Sequence, residues 1–143
     1  MERRDFITVA VAAAAIGAAS QAQAQGAGGA SMHPAKYKAL EESSGRCVAT
    51  GNDCLRHCLG MLSMKDVSMA GCTDSAYQLV AACSALQTLA AVNSTHLAAF
   101  AKAVGEICTA FQKECEKFPN IAECGACGVA CKTCAEECRK VSA

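Results

Sequence analysis

The stretch CGACGVACKTCAEEC, residues 124–138, decides the fold. Its five cysteines, Cys124, Cys127, Cys131, Cys134 and Cys138, are spaced by 3, 4, 3 and 4 residues. An α-helix turns once in about 3.6 residues, so this alternation keeps all five on one face. The face that would ordinarily carry Leu and Ile carries sulfur.

Upstream of that helix, Pro119 stops its predecessor, because proline has no N–H to donate. Asn120 is then the expected N-cap, and Glu123, three residues on, completes a capping-box pattern. The helix should run to about Lys140. A first helix is expected from about Pro34 to Met64, loosened near Ser43-Ser44-Gly45 and Gly51, and followed by a loop from Lys65 to Gly71. A second should span about Thr73 to Val92. Asn93-Ser94 reads as a turn with Ser94 as N-cap, and a third helix as about Thr95 to Lys117. Each carries an inward stripe at helical spacing. On the first the stripe is Cys47, Gly51, Cys54, Cys58 and Met61. On the second it is Cys72, Ala76, Leu79, Cys83, Leu86 and Ala90. On the third it is Phe100, Val104, Cys108, Phe111, Cys115 and Phe118. Short loops make neighbours antiparallel. The fold class expected is therefore all-α, an antiparallel up-down four-helix bundle with a cysteine-lined core. Helices of about 20 residues make it about 30 Å long.

This topology puts the first and third loops at one end. His57, Met61, Met64 and Met69 gather there, with Cys115 and Cys124 close by. The other end is lined by Leu86, Ala90, Leu97 and Phe100. One mouth is expected to carry soft ligands and the other to be plugged.

The first residues belong to export rather than to the fold. Arg3-Arg4-Asp5-Phe6-Ile7 precedes an apolar run from Val9 to Ala19, and Ala22-Gln23-Ala24 has the small-x-small form of a cleavage site. Residues 1–24 read as a twin-arginine signal peptide, residues 25–33 as a flexible Gly/Ala-rich leader, and residues 34–143 as the bundle. The apolar run is too short to anchor in a membrane, so the mature chain from Gln25 is expected to be a soluble, periplasmic protein. Thirteen Lys and Arg balance thirteen Asp and Glu. That balance gives no basic face for nucleic acid and no acidic tail. With no Trp, two Tyr and four Phe, the chain is poor in bulky core residues, while twelve residues are cysteine. Such a composition signals a disulfide scaffold or a metal protein.

Twelve cysteines on inward stripes are too many to be incidental small hydrophobes. A disulfide scaffold fits the even count and the export signal. Helical geometry opposes it, since Cβ atoms at i and i+4 lie about 5–6 Å apart and a disulfide needs about 3.8 Å. Zinc takes four ligands, usually from CxxC turns, and the CxxC spacings here lie inside a continuous helical run. Cu(I) is soft and accepts two or three thiolates. Two sulfurs at i and i+4 can share one ion, and one Cu(I) per thiolate leaves a buried core uncharged. Thioethers suit Cu(I) as well, being uncharged ligands that release no proton. His57 lies off the main stripe, facing either solvent or the mouth. Met32 and His33 read as tail, and His96 as surface. No Ser-His-Asp set, paired acids or phosphate loop suggests an enzyme.

The twin-arginine leader, CLRHC at 54–58 followed by Met61, Met64 and Met69, the stretch KECEKFPNIAEC at 113–124, and the final cysteine run together resemble the exported copper storage proteins of methane-oxidising bacteria. The resemblance spans nearly the whole mature chain. It implies a homotetramer of four-helix bundles whose cores fill with many Cu(I) ions, mostly two-coordinate, on cysteine thiolates. It also implies that the copper supplies a copper enzyme such as particulate methane monooxygenase, directly or through a copper carrier. All twelve cysteines (Cys47, Cys54, Cys58, Cys72, Cys83, Cys108, Cys115, Cys124, Cys127, Cys131, Cys134 and Cys138) match positions of that family's metal sites. His57, Met61, Met64 and Met69 match its copper ligands at the open mouth. One position departs: Phe111 stands where the family has a cysteine paired with Cys115. Cys115 must then find a partner on another helix, and capacity near Phe111 should be reduced. The alternatives are a disulfide-stapled interaction module and a chaperone carrying one or two ions.

Overall fold

The computed structural model describes residues 31–143. The expected signal peptide and residues 25–30 of the leader lie outside the described residues. Among those described there are four α-helices and no strand: α1 Lys38–Ser63, α2 Ala70–Ala91, α3 Leu97–Cys115 and α4 Ala122–Ser142. α1 packs on α2 and α4, and α3 packs on the same two helices, so the four close into a ring. Short connections make successive helices antiparallel. The bundle and its cysteine-bearing inner faces are those expected.

The ends of the helices differ from expectation by a few residues, for local reasons. α1 starts at Lys38 rather than Pro34 because the preceding segment is strapped to the α2–α3 turn. The Lys36 amide donates to Asn93 Oδ1 at 2.9 Å, and Asn93 Nδ2 donates to the Pro34 carbonyl at 3.1 Å. α1 also runs unbroken through the expected loose points. Ser43 and Ser44 turn their hydroxyls back to the Leu40 carbonyl, at 3.1 and 2.7 Å, a bond that keeps a buried hydroxyl satisfied inside a helix. α2 begins three residues earlier than expected, at Ala70.

Two helix ends share one device. In each the residue after the C-cap is left-handed, Lys65 at φ 64° and Asn93 at φ 53°. The next amide then reaches back to the last turn: Asp66 N–H to the Met61 carbonyl and Ser94 N–H to the Leu89 carbonyl, both at 3.0 Å. Lys65 and Asn93 themselves donate to Leu62 and Ala90. This pair of bonds is the Schellman motif. Two expected caps are not formed. Ile121, not Asn120, precedes α4, and it makes no side-chain cap. Ser94 Oγ accepts the His96 amide at 3.2 Å, one residue ahead of α3.

The end at the α2–α3 turn is closed by hydrocarbon: Leu40, Leu86, Ala90, Leu97 and Ala101 are all buried. Each leucine removed from water there stabilises the fold by about 1.5–3 kcal/mol. Leu97 is inside as expected, while Ala101 takes the place expected for Phe100, which is half-buried at the edge. No described helix is long and apolar enough to cross a membrane.

Candidate metal centre

All twelve cysteines are buried, and all are free thiols. Midway along the bundle each helix gives one: Cys47 from α1, Cys83 from α2, Cys108 from α3 and Cys134 from α4. These four sulfurs lie within 4.8 Å of one another, with Cys83 and Cys108 at 3.8 Å. Nearer the α1–α2 turn, Cys54 and Cys58 face Cys72 within the same limit. Cys54 lies 3.6 Å from Cys72 and 3.9 Å from Cys124 of α4.

The remaining cysteines link these groups. Cys115 meets Cys127 across the α3–α4 interface. Cys127 and Cys108 both meet Cys131, and Cys138 meets Cys134. Cys115 does find its partner on another helix. The buried ring of Phe111, one turn back on α3, fills the position from which a second sulfur of the same helix would come.

Small residues let the sulfurs in. A Cβ at Gly105 would sit 3.1 Å from Cys138 Cβ, and one at Gly128 would sit 3.4 Å from Cys115 Cβ. α3 and α4 therefore approach closely where their cysteines lie.

The electrostatics follow from crowding thiols in a dry core. Burial is the main cause holding Cys58 above the ordinary thiol value, and it pushes Cys124 up to about 12. Within contacting pairs one sulfur is favoured as thiolate. The Cys54 thiol donates to Cys72 and brings it down to about 7, while Cys54 itself rises. Cys115 does the same for Cys127, lowered to about 4. The core thus mixes protonated thiols with sulfurs that favour the thiolate a cation would bind. Four thiolates around one Zn(II) would leave two buried negative charges uncompensated. One monovalent soft ion per thiolate leaves none.

At the α1–α2 turn the expected soft ligands separate. Met69 is buried and Met61 half-buried against the cysteine core, whereas Met64 is 70% exposed. His57 is half-buried, and its Nε2 is enclosed with no hydrogen-bond partner. A buried nitrogen without a partner is costly, and an imidazole nitrogen so placed can ligate a metal ion. The other ring nitrogen, Nδ1, faces Glu123 Oε2 of α4 at 3.9 Å. Glu123, expected to cap α4, thus serves this corner instead. Thr50 and Thr73, which lie beside Cys127 and Cys58 while their hydroxyls donate to the Arg46 and Met69 carbonyls, have no counterpart in the sequence reading either. Neither pairing has a signal in spacing along one helix, because both are set by how α1 meets α4 and α2.

No curated protein is similar enough to count as a match. Residues 33–143 match the family Csp, copper storage protein, and that match takes in the whole bundle. The chain belongs to the copper storage protein family.

Proposed function

We propose that this protein is a Cu(I) store, not an enzyme, exported to the periplasm by a twin-arginine leader. The observation that carries the reading is the connected set of twelve buried thiols, joined through all four helices. A chaperone needs one exposed, exchangeable site, whereas here every thiol is inside. Cu(I) replaces the thiol protons one for one, so filling builds up no charge in the core. The ligands proposed are the twelve cysteines, with His57, Met61 and Met69 receiving ions at the mouth and Met64 meeting them first from solvent. A homotetramer and a copper-requiring recipient, such as particulate methane monooxygenase or a carrier that serves it, belong to the same reading.

The test is an anaerobic titration of the reduced mature chain with Cu(I), against a coloured Cu(I) chelator. Uptake of about twelve ions per chain before the chelator responds, one per thiolate, is the expected result. Uptake of one or two would make this a carrier. A freshly isolated protein with few titratable thiols would instead favour a disulfide-stapled module.

A further inference from the structure

The walls of the bundle are not equally thick. The two grooves between α1 and α4, of about 290 and 260 Å3, have no cysteine in their lining. The groove between α3 and α4 has three. Cys115 and Cys124 line a cavity of about 340 Å3 near the α3–α4 turn. Cys138 lines one of about 670 Å3 farther along, towards the plugged end. The cause is the use of glycine: Gly105 and Gly128 line these cavities, and neither carries a side chain over the cysteine behind it, Cys138 and Cys115. At Gly105 even a methyl group would press on Cys138.

The larger cavity is also charged. Lys102, Lys113 and Arg139 border it against a single acid, Glu106. Its volume suits a small ligand, since such sites span about 300–1,000 Å3. Behind it the sulfurs continue inward. Cys138 contacts Cys134, which belongs to the four-sulfur layer at mid-bundle. His57 and the methionines stand at the other end, by the α1–α2 turn, and give the far half of the core no short route to solvent.

We propose that the α3–α4 groove is a second, lateral exchange site, where a small carboxylate-bearing thiol hands Cu(I) to Cys138 or takes it back. The inference rests on the storage reading. The chemistry is ligand exchange without change of oxidation state. Cu(I) arrives between the thiolates of two carrier molecules. Cys138 Sγ forms a bond to copper, one carrier sulfur–copper bond breaks, and the Cys138 proton leaves on the released carrier thiol. Cys134, as the thiolate, then forms the second bond to copper as the second carrier sulfur–copper bond breaks, and that sulfur leaves as a thiolate. Release is the reverse, driven by excess thiol. The cations select carriers with carboxylates and hold them over the thin wall.

The test compares loading rates of the reduced mature protein from two Cu(I) sources, the complex with reduced glutathione and the complex with uncharged 2-mercaptoethanol. Two variants are compared with the parent. One carries Lys102→Gln, Lys113→Gln and Arg139→Gln. The other carries Ala110→Phe, at an exposed position that lines the cavity, to cover it. Loss of steering should slow loading from the glutathione complex by about tenfold in the first variant, with loading from the neutral complex unchanged. Ala110→Phe should slow both, and final capacity should stay at the parent value in both variants. Equal rates in parent and variants from both sources would overturn the lateral site. A low final capacity in the parent would instead overturn the storage reading, so the two failures are distinguishable.

Discussion

Phe111 is the residue at which this chain is most its own. Its ring is fully buried among the core cysteines, and it leaves Cys115 to pair with Cys127 of α4. Phe111→Cys should therefore act in two directions. Removing the ring from a packed site should cost the apo protein about 2–4 kcal/mol, read as a lower urea midpoint. The new thiol, one turn from Cys115, should add about one copper ion to the titration endpoint. An unchanged endpoint would sink the view that the ring displaces copper. The methionines separate at the same scale. Met61 and Met69 sit against the core, whereas Met64 is exposed. Replacing Met61 and Met69 together by Leu should slow both loading and chelator extraction with capacity retained. Met64→Leu alone should change the rates far less. Stopped-flow extraction curves read the difference, and equal slowing by Met64→Leu would place the route through the exposed thioether.

At the scale of the helices, glycine and the left-handed cap residues decide local stability. Gly125 of α4 has open space where a Cβ would go, but a Cβ at Gly51 of α1 would lie 2.7 Å from Val80 Cγ2. Gly125→Ala should stabilise the bundle by about 0.5–1 kcal/mol through helix propensity alone. Gly51→Ala should destabilise it by about 1 kcal/mol or more. Val80 is stiff at χ1 and has little freedom to move aside. Thermal melts of the reduced apo variants check both, and a stabilising Gly51→Ala would mean that the α1–α2 contact is looser than drawn. The same contrast shows what the sequence made legible. The α2 stripe from Cys72 to Ala90 was readable in full, as were the cysteine faces of α1 and α4, because one-face spacing is a property of a single helix. The α3 stripe holds from Val104 to Cys115, but Ala101 stands inside in place of Phe100, and Phe118 lies past the helix end, only half-buried. An aromatic ring carries more apolar surface than a methyl, but only the closeness of α3 and α4 decides which fits inside. The start of α1, the idle Asn120 cap and the Glu123–His57 pairing escaped for the same reason. Each depends on a neighbour many residues away.

For the whole molecule, the burial of twelve thiols ties stability to pH, with opposite signs below and above pH 9. Eight are raised above the ordinary thiol value of 9.0: Cys47, Cys54, Cys58, Cys83, Cys115, Cys124, Cys131 and Cys138. Four are lowered by donating neighbours: Cys72, Cys108, Cys127 and Cys134. Below pH 9 the raised eight hold their protons in both folded and unfolded chains, so they add no pH dependence. The lowered four ionise first in the folded state, and stability rises as pH climbs towards 9. Above pH 9 the lowered four are ionised in both states and their contribution is constant. The raised eight now keep protons only when folded, so the unfolded chain binds fewer protons and stability falls with pH. For Cys124 that window runs from 9 to about 12. The reduced apo protein should therefore show its highest melting temperature near pH 9 and a steep decline by pH 11. Copper-loaded protein has already given up its thiol protons, so its stability should rise to pH 9 and then level off. Two calorimetric series, apo and loaded, from pH 6 to pH 11 would read the divergence. An apo protein that grows more stable beyond pH 9 would mean that its thiols are not held in a closed core.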